Sequence, residues 1–171
     1  NMNQDEGIWE DYWRGDEDHS WWKRPASEVM EFIASQSPGE RPNVLDLGCG
    51  LGRHAIAFAQ AGFTVTATDA SASAASHLSR WAEDLSLEIR SLVRDVLSDE
   101  LPENGFDIVL AYNVIYHGHR HEFAAAIDHV RRLLRTEGLF YFTSPTRDDG
   151  KYGFGKEVAP HTFQSDEKSV T

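Results

Sequence analysis

Val44-Leu45-Asp46-Leu47-Gly48-Cys49-Gly50-Leu51-Gly52-Arg53 passes from an apolar run into glycines at every second position, then into the helical pattern Ala55 to Ala61 closed by Gly62. That order predicts strand, tight turn, helix. Glycine suits such a turn because it permits positive φ and lets a ligand approach the main chain with no Cβ in the way. The helix beyond the turn presents free N–H groups and a partial positive charge at its start. The turn is therefore a ligand cradle, and the rest of the chain is arranged around it.

The run Thr64-Val65-Thr66-Ala67-Thr68-Asp69 reads as a second strand ending in an acid, seventeen residues beyond Gly52. An acid at the tip of the second strand of a βαβ unit can accept hydrogen bonds from the hydroxyls of a ribose. The expected ligand thus contains a nucleoside. The phosphate-binding form of the turn is G-x-G-x-x-G, whereas this one is Asp46-x-Gly48-x-Gly50-x-Gly52. A carboxylate ahead of the glycines repels a pyrophosphate and favours a cation.

With those residues in view, Val44 to Ser71 resembles the first motif and second-strand acid of the class I S-adenosylmethionine-dependent methyltransferases, and the likeness runs from about Trp21 to Ser144. The resemblance implies an α/β, Rossmann-like, doubly wound, mainly parallel sheet of order 3-2-1-4-5. It also implies that Asp46, Gly48, Cys49, Gly50 and Gly52 bind S-adenosylmethionine, with Asp69 and the adjoining Ala70 at the ribose. A third strand, Leu87 to Val93, ends at Asp95-Val96, where the family's adenine contacts fall. The alternative for Asp95 is a loop acid capping the next turn of chain. Arg24 is by analogy a clamp for the cofactor carboxylate, or else a solvated side chain.

The acceptor side lies beyond the fourth strand, Phe106 to Asn113, which emerges into Val114-Ile115-Tyr116-His117-Gly118-His119-Arg120-His121. Ligands in open α/β sheets bind beyond the C-terminal ends of the strands, where strand order reverses. By resemblance the backbone after this strand, at Asn113, receives the cofactor ammonium. Tyr112, Tyr116 and His117 are the catalytic candidates, and His117 has an ordinary pKa suited to deprotonating an acceptor. The alternative for His117 is a hydrogen bond within the loop. A metal reading of His117, His119 and His121 requires an extended strand, but the segment runs into a helix over Glu122 to Leu134, and no metal is expected.

Two other residues near the turn invite chemistry. Cys49 lies near a helix start, which can lower a thiol pKa. Methyl transfer from a sulfonium needs no enzyme nucleophile, however, so Cys49 reads as a small spacer and His54 as packing or capping.

Composition narrows the partners. The 171 residues fit one core, and at this size roughly 70% of the unfolded surface can be buried. Lys and Arg number 16 against 28 Asp and Glu, a formal charge of -12, which disfavours nucleic acid because each phosphate contact wants a cation. Arg131, Arg132 and Arg135 cluster only late in a helix, where cations complement the dipole. The expected acceptor is a small molecule. No run approaches the roughly 20 apolar residues that span a bilayer, so no membrane partner is expected. The single Cys49 excludes an internal disulfide and, with no leader visible, the expected location is cytoplasmic. Asn1 ahead of Met2 reads as a remnant preceding the natural start.

Three segments are expected. Residues 1–42 form an aromatic-rich, helical lid, with Trp9, Tyr12 and Trp13 on a stripe after Ile8, Trp21 and Trp22 beyond it, and a helix from Ala26 to about Ser35. Those rings either seal the core or close over the site. Residues 43–144 form the cofactor core. Residues 145–171 are polar and glycine-broken, read as loop. The two further strands that the family usually adds are expected to be missing. The function expected is S-adenosylmethionine-dependent methyl transfer to a small molecule by in-line displacement, with S-adenosylhomocysteine as product. The rivals are a catalytically inactive S-adenosylmethionine-binding protein and an NAD-dependent oxidoreductase.

Overall fold

The computed structural model describes residue 10 and residues 20–115, 120–144, 156–159 and 162–164. A short 3-10 helix, Ser20–Lys23, leads to α1 (Ser27–Ala34), β1 (Asn43–Leu47), α2 (Arg53–Gln60), β2 (Thr64–Asp69) and α3 (Ala72–Asp84). Then come β3 (Ile89–Val93), β4 (Phe106–Ala111), α4 (Arg120–Leu133) and β5 (Leu134–Phe142), and last β6 (Lys156–Ala159) and β7 (Thr162–Gln164). The first five strands form one parallel sheet in the order β3-β2-β1-β4-β5. That is the order expected.

Strand alternation sorts the side chains onto two faces. Val44, Val65, Ala67, Ile108 and Leu110 pack with Val29 and Ile33 of α1, Ile56 and Phe58 of α2, and Leu78 of α3. On the other face Leu45, Leu47, Val109 and Ala111 pack with Ala126, Val130 and Leu133 of α4. Both faces of the strands are thus covered, as a parallel sheet requires. The Phe32 ring of α1 meets Phe58 at 6.5 Å and Tyr141 of β5 at 4.9 Å, so one aromatic links α1 to the sheet edge.

Helix ends explain where the boundaries fall. Helix α2 stops at Gly62 (φ 92), with Gly62 N–H donating to Ala59 O and Phe63 N–H to Phe58 O at 3.0 and 3.1 Å. The Phe58 and Phe63 rings meet edge-on at 5.3 Å, the apolar contact that accompanies this kind of stop. Helix α3 ends the same way around Ser86 (φ 57), and Leu87 N–H is committed to Ala82 O at 2.9 Å. Leu87 therefore belongs to the helix stop, and β3 starts later than the sequence suggests.

Two further boundaries differ from expectation. Strand β4 ends at Ala111 because Asn113 turns into the left-handed region, φ 57. Strand β5 starts as early as Leu134, since Asn104 and Gly105 donate to Arg132 O and Leu133 O and satisfy the end of α4. Within 145–171, read from the sequence as loop, β6 and β7 pair antiparallel with each other as a separate two-stranded sheet.

Candidate functional site

The turn after β1 is built as a nest. Gly48, Gly50 and Gly52 have φ of 68, 54 and 87°. Cys49 N–H donates to Thr68 O at 2.8 Å, fastening the turn to β2. A Cβ on Gly48 would lie 2.5 Å from Val114 Cγ1, and one on Gly52 would lie 2.9 Å from Leu78 Cδ2. At these two positions the missing side chain makes room for the protein's own packing, where the sequence suggested room for a ligand.

Asp69, at the tip of β2, accepts from Gly50 N–H at 2.8 Å through Oδ2 and from Ser71 N–H at 2.9 Å through Oδ1. A carboxylate has about four lone-pair sites, so two stay available for ribose hydroxyls. Burial pushes the Asp69 carboxyl up, while the Ser71 and Gly50 N–H groups pull it down. Ala70 is half-buried between Asp69 and the cap residue Ser71, whose hydroxyl accepts from Ala74 N–H at 3.1 Å. Glu10 reaches this corner from the N-terminal segment. Its carboxylate accepts from Ser71 Oγ, Ser73 Oγ and Ser73 N–H at 2.6, 2.5 and 3.1 Å.

Asp46 lies on the α2 side of β1 and is 2% exposed. Its Oδ2 is buried without a hydrogen-bond partner. Burial, with help from the Asp69 charge, pushes its carboxyl up to about 7, against Ala55 N–H and the Arg53 charge. Leaving such an atom unpaired is costly. A cation above the turn relieves that cost, which is the fit expected for a sulfonium nucleoside and not for a pyrophosphate.

On the β4 side, Tyr112 Oη donates to Glu28 Oε1 of α1 at 2.6 Å. Burial and that acceptor push the phenol up to about 12, so it stays protonated near neutral pH and acts as a donor. The Arg53 guanidinium lies over the Trp22 ring at 4.9 Å and the Tyr112 ring at 5.3 Å, and Nη1 donates to Arg24 O at 3.1 Å. His54 meets Tyr112 edge-on at 4.7 Å and accepts from Ala26 N–H through Nε2 at 3.2 Å. Burial, aided by the Arg53 charge, holds its pKa down at about 3, so His54 is a neutral tie between α1 and α2. Asn113 N–H donates to Thr143 Oγ1, which donates back to Asn113 Oδ1, both at 2.8 Å. Asparagine tolerates the left-handed geometry that this clasp holds.

Among the other sequence candidates, burial pushes the Cys49 thiol well up, and its Sγ–H points to Gly50 O at 3.5 Å, so it is a spacer and not a thiolate. Asp95 Oδ1 accepts from Leu97 N–H at 2.8 Å, capping its own turn, while Val96 packs against the α4 face of the sheet. The Arg24 side chain is exposed, and its carbonyl is what meets the site. Tyr116 and His117 lie outside the described residues, as do the side chain of Trp21, Ile8 and the stripe of Trp9, Tyr12 and Trp13. Sequence reasoning missed Glu10, Glu28 and Thr143 and gave Arg53 no role. Only Arg53 carried a signal, its place directly after the last glycine. Among the described residues no helix is long and apolar enough to cross a membrane.

Residues 44–138, more than half of the chain, match a family described as a methyltransferase domain. The ubiquinone biosynthesis O-methyltransferase of Pseudomonas fluorescens (strain Pf0-1) is 27% identical over 147 residues, covering 80% of this chain and 62% of that protein. This chain thus spans about three fifths of the length of the curated relatives it matches. The PH0226 protein from Pyrococcus horikoshii OT3 superimposes with a TM-score of 0.61 at 26% identity, over 77% of this chain and 60% of that one. Burkholderia thailandensis 1,6-didemethyltoxoflavin-N1-methyltransferase, solved with its substrate and S-adenosylhomocysteine, has a TM-score of 0.63 at 20% identity, over 99% of this chain and 66% of its own. The latter likeness concerns the fold.

Proposed function

This chain belongs to the methyltransferase-domain family, and we propose that it transfers a methyl group from S-adenosylmethionine to a small-molecule acceptor. The observation that carries the reading is the buried, unpartnered Asp46 carboxylate oxygen in the strand beneath the positive-φ glycine turn. That charge arrangement favours a cationic nucleoside. Two of the similar proteins point the same way: one is named as an O-methyltransferase and the other was solved with S-adenosylhomocysteine. Their acceptors differ, so the family likeness leaves the methylated atom open.

S-adenosylmethionine supplies an already activated methyl group on a positively charged sulfur. The chain's task is then to position and enclose. Asp69 orients the ribose, the nest from Gly48 to Gly52 runs along the methionine portion, and Asp46 offsets the positive charge. Asp95 with Val96 is the adenine side of the proposal. Asn113, held by Thr143, presents the backbone after β4 to the ammonium. Alignment of acceptor and methyl can be worth roughly 7 to 11 kcal/mol, so no covalent enzyme intermediate is needed. Where an acceptor must lose a proton, His117 is the proposed base, with Tyr116 beside it in sequence; Tyr112, whose single O–H is committed to Glu28, contributes a ring held in place.

Titration calorimetry with S-adenosylmethionine tests the binding step. Transfer of labelled methyl to a panel of phenols, thiols, amines and carboxylates tests the reaction. Saturable binding and then label in a small product are expected. NAD binding with no S-adenosylmethionine binding would overturn the proposal, and binding without transfer would leave a cofactor-binding protein.

A further inference from the structure

We propose that Arg53, whose guanidinium carbon lies over the rings of Trp22 and Tyr112, binds the carboxylate at the amino-acid end of the nucleoside ligand. This rests on the S-adenosylmethionine reading of the site and adds a residue to it. The ligand has two chemically different ends, and the fold offers them different partners. At the β2 tip stands the carboxylate of Asp69, suited to hydroxyls. On the β4 side of the same turn stands the guanidinium of Arg53, the residue directly after Gly52. A nucleoside laid across the turn with its ribose at Asp69 therefore extends its amino-acid end toward β4 and Arg53.

The guanidinium is prepared for this. Its carbon lies 4.9 Å from the Trp22 ring centre and 5.3 Å from that of Tyr112, contacts that restrain the group, and Nη1 is spent on Arg24 O. Among the described residues none of the other guanidinium nitrogens has a hydrogen-bond partner, which leaves donors of the fork for a carboxylate. Tyr112 is itself fixed, because its hydroxyl is tied to Glu28 and its ring edge to His54. The neighbouring cations are placed otherwise. Lys23 Nζ lies over the Trp81 ring at 5.7 Å, and the exposed Arg24 contributes its carbonyl. With Asp46, Asp69 and Glu28 around the turn, a carboxylate-bearing ligand needs one well-placed cation, and Arg53 supplies it.

The test compares two ligands on the whole chain by calorimetry. S-adenosylhomocysteine carries the amino-acid end, and 5′-methylthioadenosine lacks it. Wild type is expected to prefer the former. Arg53→Met should weaken S-adenosylhomocysteine roughly 10- to 100-fold, the range for a hydrogen bond to a charged group, while leaving 5′-methylthioadenosine within about 2-fold. Arg53→Lys should restore only part of the loss, since an ammonium neither stacks flat nor forks. Unchanged discrimination in Arg53→Met overturns the proposal, and so does equal weakening of both ligands, which would assign Arg53 to the turn itself. Loss of discrimination in Arg24→Met with Arg53→Met unaffected would move the clamp to Arg24. Failure of wild type to bind either nucleoside refutes the cofactor reading and this inference with it, a result distinct from the others.

Discussion

Asp46 carries both a stability cost and a binding gain. Its folded pKa of about 7 lies above the ordinary carboxylate value of 3.8, so the folded chain holds the proton more tightly than the unfolded one. Stability from this group is therefore greatest below about pH 4 and is lost as pH rises through 7. Asp46→Asn removes that loss. The variant should melt several degrees above wild type at pH 8 and no higher at pH 4, as measured by calorimetric scans without ligand. A bound cation favours the ionised carboxylate, so wild-type affinity for S-adenosylmethionine should rise between pH 6 and pH 8, whereas the Asn variant binds weakly with a flat profile. Gly52 is limited by its surroundings: an added Cβ would crowd Leu78, which is fully buried, at a backbone φ of 87°. Gly52→Ala should cost about 2 to 4 kcal/mol in denaturant unfolding, combining overpacking with left-handed strain.

At the scale of elements, the start of α3 is where Glu10 is fastened. Ser71 caps the helix through Ala74 N–H, and Glu10 binds Ser71, Ser73 and the Ser73 N–H. The partly positive helix start favours a carboxylate there. Ser71→Ala should lower stability by about 1 kcal/mol, the usual cost of a lost cap. Glu10→Ala and Ser71→Ala share a hydrogen bond, so a double-mutant cycle by urea unfolding should show coupling of roughly 0.5 kcal/mol or more. Additive effects would mean that Glu10 acts through the Ser73 contacts alone. The α4 to β5 junction obeys the same logic from the other end, since the loop before β4 closes the helix and frees the chain to enter the sheet at once.

For the molecule as a whole, the sheet's central strands are pinned at the end opposite the cradle. Asp107 of β4 accepts from Asn43 N–H at 2.9 Å, from Asn43 Nδ2 at 3.2 Å and from Arg135 Nη1 at 3.1 Å, joining β1, β4 and β5. Removing that acceptor leaves the half-buried Asn43 donors and the exposed Arg135 without it, so Asp107→Ala should destabilise the fold by about 1 to 2 kcal/mol while the affinity of the folded protein for S-adenosylmethionine changes little. Ligand binding should raise the melting temperature in turn. At 100 times the dissociation constant the gain is about 2.7 kcal/mol, and hydrogen exchange should slow first in β1, β2 and the start of α2.

The strand, glycine turn and helix, the acid closing β2 and the cap at Ser71 could all be read from the chain, each from side-chain periodicity or backbone preference acting over a few residues, or from a motif whose spacing local geometry enforces. The sheet order was implied by the family resemblance that those motifs carry. What the periodicity could not set was the last residue of each element: Leu87, Asn113 and Leu134 take their states from hydrogen bonds made by helix ends and loops around them. Tertiary structure alone decided that Val114 and Leu78 fill the spaces at Gly48 and Gly52, that Glu10 crosses 61 positions to Ser71, and that Glu28 crosses 84 to Tyr112. Such contacts carry no local signature, because they depend on which faces the packed sheet brings together. The Arg53 site is their sum: a residue placed directly after the motif, with rings set over it by distant parts of the chain.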